Sequence, residues 1–306
     1  MSLKLSLRQK LIAIVLVVVL GFGAMGWYAI LSLSGLVNAS EHVSQLGHVT
    51  QVVGNLEVRI LQFEKQRESA TPDNIGQIDS ALAELKQNAV NQLAAVEPET
   101  GDQKAQGMLA ENRAALGPYL QQLANWVEVR KQLGLSPDTG VFLQVEKEAA
   151  ALLTELEVFR SFAARLREVR ANEKEFLIYP DEEHKKSVQA SLEQLRSDIR
   201  AMGFDDIFFV FVDKYEVVLK QMIELRQQLA TLDAELAQSR QQVSELMEAS
   251  THYLQNTLLA KAQQHAKEAA SSARTSILIG SVSLAIIVGL IVASVAMSIA
   301  RNMKQA

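Results

Sequence analysis

Apolar residues recur every three or four positions from Val49 through Val53, Leu56, Ile60 and Phe63, and the next position in the series is Arg67. A second series, Leu152, Leu156, Phe159, Ala163 and Leu166, runs on into Arg170, Glu173 and Leu177. Residues at this spacing share one helix face, which a helical bundle buries. A charge on such a face is costly unless something pairs it. Guanidinium is a rigid fork of donors matched to carboxylate, so a cavity holding two or three arginines suits a small organic acid. The candidate ligand-binding residues are therefore Arg59 and Arg67, near one face of the first helix, and Arg167 and Arg170 on the fourth, with Lys174 on their face and Asn172 nearby. Internal pairing is the competing explanation. Arg170 and Glu173 stand three apart and can neutralise each other, and Arg59 can meet a carboxylate on a neighbouring helix.

A rival pocket would combine Asp205, Asp206 and Tyr215 with Phe208, Phe209 and Phe211. Acidic and aromatic surfaces suit amines through charge and cation–π attraction, although such aromatics also serve as plain core. Other chemistries find little support. No glycine-rich phosphate loop, nucleophile elbow or HExxH is present, so neither an enzyme nor a cofactor is expected. The chain has no cysteine, and no two of its five histidines sit three or four apart, so no metal site is expected. A net charge of −5 argues against a nucleic-acid partner.

The elements that must position the arginines are bounded by two uncharged apolar stretches, residues 11–33 and 276–299. Each is long enough to cross a hydrocarbon core of about 30 Å. Lys4, Arg8 and Lys10 precede the first, and Arg301 and Lys304 follow the second. Basic flanks stay cytoplasmic, so residues 1–10 and 300–306 are expected inside and residues 34–275 outside, with Arg274 the one basic residue against this. Trp27 and Tyr28 suit an interfacial aromatic belt. A cleaved signal peptide is the alternative for the first stretch, though its apolar run is longer than a usual signal core.

Between the spans, Pro72, Pro98, Gly101, Pro137, Gly140, Pro180 and Gly203 punctuate six expected helices, approximately 38–70, 73–95, 101–133, 139–178, 181–202 and 204–275. Gly117-Pro118 should kink or split the third. The sixth carries a bundle seam from Phe208 through Tyr215, Met222, Leu229, Leu236 and Val243 to Ala260. It would be about 105 Å long, against about 50 Å for the first, so it should run through two stacked bundles. An internal echo points the same way: Glu64-Lys65, Pro72-Asp73 and Leu82 with Leu85 are matched by Glu173-Lys174, Pro180-Asp181 and Leu192 with Leu195. Glu-Lys pairs and Pro-Asp helix starts are common enough for coincidence to remain open.

The two-span layout, the paired helices bearing Arg and Glu-Lys, the run Arg170-Ala171-Asn172-Glu173-Lys174-Glu175-Phe176-Leu177 ahead of Tyr179-Pro180-Asp181, and the tail Ser298-Ile299-Ala300-Arg301 resemble bacterial methyl-accepting chemotaxis receptors with a helical bimodular sensor. The resemblance covers nearly the whole chain through loose motifs. It implies an all-α fold with two transmembrane helices flanking a six-helix periplasmic domain of two stacked four-helix bundles, small organic ligands inside one or both, and a symmetric homodimer paired through the first helix near Ala39, His42 and Leu46. It also implies a longer receptor continuing past Ala306 into a HAMP domain and a cytoplasmic signalling module that reaches the chemotaxis kinase and adaptor. A sensor histidine kinase can carry the same input region.

Overall fold

A computed structural model describes residues 7–303, and these are helical almost throughout, with no strand among them. Lys4 and Lys304 lie outside the described residues, as do the side chains of Arg8, Lys10 and Arg301. The helices are α1 (Leu7–Glu68), α2 (Ile75–Val96), α3 (Gln103–Leu133), α4 (Gly140–Leu156), α5 (Arg160–Ile178), α6 (Glu182–Ala201), α7 (Asp205–Tyr253) and α8 (Ala260–Met303). A π-helical turn, Leu254–Leu259, separates α7 from α8. The all-α expectation holds. The chain divides into two compact units, residues 1–51 with 251–306, and residues 52–250.

The first unit carries two helices long and apolar enough to cross a membrane. Their large apolar side chains face outward, among them Leu20 at 62%, Trp27 at 68% and Leu290 at 67% exposure. Surface of this kind is stable only against lipid or a partner. Small residues let the two helices approach: a Cβ on Gly21 would lie 2.9 Å from Leu284, and one on Gly280 3.4 Å from Met25. The Tyr28 hydroxyl and Ser276 Oγ stand 3.4 Å apart beside them. Leu46 is fully covered within the chain, so it is not available to a mate across a dimer axis, whereas His42 is exposed.

In the second unit, side chains sort the helices into two groups. Residues 52–68 of α1 with α2, α3 and the C-terminal half of α7 form the first, joined by Lys131 to Asp79 at 2.6 Å, Ser239 to Gln122 at 2.7 Å and Asn112 to Ser250 at 2.7 Å. The second contains α4, α5, α6 and the N-terminal part of α7, joined by Arg165 to Asp198 at 2.9 Å and Tyr215 to Glu173 at 2.7 Å. The α7 seam supplies both cores, with Tyr215, Met222, Leu229, Leu236 and Val243 all buried. Leu82, Leu85, Leu192 and Leu195 of the sequence echo are buried too.

Two expected elements differ. The fourth helix is not continuous over 139–178: it breaks at Glu157–Phe159, and α5 folds back so that Arg170 pairs with Glu146 on α4. No glycine or proline marks the break. Its cause is tertiary, because Phe159 leaves the helix to stack among Phe162, Phe204 and Phe208, with ring centroids 4.7 Å from Phe204 and 5.3 Å from Phe162. Such aromatic contacts outweigh a few lost helical hydrogen bonds. Conversely α3 runs through Gly117-Pro118 without splitting, held by Leu116, Tyr119 and Leu120, which are buried on one side.

Turns are closed by side chains the sequence supplies in place. Asp102 accepts from the Ala105 N–H at 2.8 Å and Asp181 from the His184 N–H at 2.9 Å, capping α3 and α6. Between α3 and α4, Thr139 Oγ1 accepts from the N–H groups of Leu135 and Ser136 at 2.9 and 3.0 Å. Gly134 and Gly140 bend the chain there at φ +123° and +59°.

Candidate ligand-binding site

Each helix group of the second unit buries one glutamate, and each glutamate is held by a tyrosine and an arginine. On α1, Glu64 is 6% exposed and accepts a 2.5 Å hydrogen bond from the Tyr119 hydroxyl of α3. Arg240 Nε of α7 stands 2.9 Å from its other oxygen, close enough for an ion pair although no hydrogen bond is aligned. On α5, Glu173 is 2% exposed, accepts from the Tyr215 hydroxyl of α7 at 2.7 Å and receives Arg170 Nη1 at 2.6 Å. Glu64 and Glu173 are the matching positions of the internal echo. In both, burial pushes the tyrosine hydroxyl well above its ordinary range, and the adjacent glutamate pushes it the same way. Burial raises the Glu173 carboxyl, and Arg170 and the Tyr215 hydroxyl pull it back only in part. Burial works to lower Arg170, yet Glu173, Tyr215 and Glu146 together hold it raised.

The four candidate arginines fall into different surroundings. Arg59 pairs with Glu84 of α2 at the surface. Arg167 is exposed. Arg170 is consumed by Glu173 and Glu146. Arg67 alone keeps donors without a use: its Nε and Nη1 are sealed from solvent and make no hydrogen bond. Its guanidinium lies 4.5 Å over the Trp126 ring, and Nη1 stands 3.8 Å from Asp233 Oδ1, beyond hydrogen-bond distance.

Around Asp233, the carboxylate nearest Arg67, the structure gathers residues that the seam spacing passed over. Trp126 Nε1 donates to Asp233 Oδ1 at 2.7 Å. Arg130, one turn beyond Trp126 on α3, is lowered by burial and then by the charge of Arg226, and Asp233 offsets this only in part. Arg226 is also lowered by burial, again with Asp233 as its offsetting charge, and its Nε donates to the Leu177 carbonyl at 3.0 Å. Arg130 lines a cavity of about 250 Å³ with Ser136, Phe142, Glu146, Glu173 and Lys174. A signal for these residues exists: Arg226 and Asp233 are seven apart on α7 and therefore share a face, as do Trp126 and Arg130 four apart on α3.

The rival amine pocket is not assembled. Tyr215 is fully buried against Glu173, and Phe208 belongs to the Phe159 cluster. Phe209 lies under Arg196 and Arg200. Asp205 and Asp206 begin α7, about 15 Å along the helix from Tyr215. Among the described residues no group of three or more His, Asp or Glu could hold a metal ion. No family model, no curated protein and no solved structure matches the chain.

Proposed function

We propose that the chain is the sensing and membrane-spanning region of a bacterial chemoreceptor of the methyl-accepting type, which binds a small di- or tricarboxylate outside the cytoplasm and signals inward. On this reading residues 11–33 and 276–299 cross the inner membrane, both termini are cytoplasmic, and residues 34–275 are periplasmic. The two helix groups of the second unit are two stacked four-helix bundles, a reading supported by their separate buried glutamates and by their shared use of α7. A homodimer would pair α1 with its mate, and the exposed Val58 and Leu61 offer apolar surface for that contact. The cytoplasmic signalling module, with its kinase and adaptor, would read the result. A histidine kinase could use the same input region.

The observation that carries the proposal is Arg67, a guanidinium on a buried seam with two nitrogens that neither protein nor solvent satisfies. Leaving buried donors unpaired costs about 1–3 kcal/mol each, and more for charged groups, so a carboxylate entering there would recover binding energy. A thermal-shift screen of the full chain in detergent against di- and tricarboxylates, amines and amino acids tests this. A carboxylate at a hundredfold its dissociation constant should stabilise the fold by about 2.7 kcal/mol. A shift with amines alone would contradict the carboxylate reading.

A further inference from the structure

Asp233 is the one carboxylate whose charge reaches both Arg130 and Arg226, and it is also the carboxylate nearest Arg67. Arg170 and Glu173 cancel, as do the exposed Lys174 and Glu146, so Arg67, Arg130 and Arg226 against Asp233 leave two positive charges uncompensated in half-buried positions. Other nearby acids are already engaged: Glu64 by Tyr119 and Arg240, and Glu146 and Glu173 by Arg170. The excess charge also has a place to be met. Arg130 lines the 250 Å³ cavity together with Lys174, Leu177 and the Arg170-paired Glu146 and Glu173, and the carbonyl of Leu177 holds Arg226 beside it.

These residues come from both helix groups. Arg67 on α1 and Arg130 on α3 belong to the first, Lys174 and Leu177 on α5 to the second, and Arg226 and Asp233 lie on the part of α7 that both share. Building on the acid-sensing proposal, we infer that Arg67, Arg130 and Arg226 form a site for a small dicarboxylate at the meeting of the two helix groups, rather than inside either one. Two carboxylates match two uncompensated charges, and the guanidinium forks supply bidentate donors. A dianion held there is contacted from both groups, so its arrival favours one packing of α7 between them over another.

Calorimetric titration of the full chain in detergent with malonate, succinate, glutarate, acetate and putrescine tests the site. At least one of the three dicarboxylates should bind about tenfold or more tightly than acetate. Arg130→Gln and Arg226→Gln should each weaken that dicarboxylate about tenfold or more, while Arg59→Gln leaves it unchanged. Without ligand, Arg226→Gln should melt no lower than the parent, because it removes an uncompensated charge. Arg226→Lys, which keeps the charge and loses the fork, should weaken binding without raising the melting point. Dicarboxylate binding indifferent to both Gln variants would overturn this site and leave the acid sensor standing. Acetate bound as tightly as the dicarboxylates, or a ligand-free Arg226→Gln that melts well below the parent, would also overturn the site. Binding of putrescine alone would overturn both proposals.

Discussion

Arg67 was legible because a charge interrupts an apolar series, and the series itself is buried at Val49, Val53, Leu56, Ile60 and Phe63. The same rule also selected Arg170, yet there the seam charge is answered internally by Glu173. Spacing cannot separate the two cases, since the answer depends on which helix lies opposite. Arg130 and Arg226 escaped the rule because a long side chain rooted beside the seam can still carry its charge into it. The buried Glu173 allows a pH prediction. Burial raises the Glu173 carboxyl, so the folded chain keeps this proton to higher pH than the unfolded chain, whose carboxyl sits near the ordinary 4.5. The contribution of Glu173 to stability is therefore greatest below that value and declines as pH rises through the folded-state pKa. Chemical denaturation of the parent and of Glu173→Gln across roughly pH 4 to 7 should show the parent's relative stability falling with pH. A parent that gains on the variant as pH rises would contradict this.

At the scale of elements, turns rich in Pro, Gly, Asp and Thr were readable in place, because those residues act locally on their own backbone. The break between α4 and α5 was not, since Phe159 leaves the helix for partners more than forty residues away on the far side of the α5–α6 hairpin. The turn between α3 and α4 makes a sharper test. Gly134 sits at φ +123°, and a Cβ there would stand 2.3 Å from the Thr139 carbonyl oxygen. Leu135, Ser136 and Pro137 of this turn also wall the cavity. Gly134→Ala should therefore destabilise the fold by about 2 kcal/mol and weaken dicarboxylate binding together. Gly203→Ala, at φ +72° with open space around the new Cβ, should cost about 1 kcal/mol and leave binding intact. Equal effects of the two variants on affinity would show that the α3–α4 turn does not shape the site.

For the whole molecule, the two helices long and apolar enough to cross a membrane followed from charge-free runs, and the helical middle from its periodicity and its Pro and Gly punctuation. Two groups sharing the last long helix were expected, but which helices join each group was not legible, because that rests on long-range partners such as Tyr119 with Glu64 and Tyr215 with Glu173. On the proposed function, an organic acid bound in the second unit changes output across the membrane. The chain after Ser250 passes through a π-helical turn into α8 without a proline or an intervening loop, so a changed packing of α7 has a continuous helical path toward the apolar part of α8. The most direct measurement joins residues 1–306 to the cytoplasmic part of a chemotaxis receptor in membrane vesicles and follows kinase activity while a dicarboxylate is added to the periplasmic side. Kinase activity should change in a saturable way with ligand concentration, and about tenfold or more ligand should be needed when Arg226→Gln is present. Saturable binding of the dicarboxylate with kinase activity unchanged at every concentration would contradict the account.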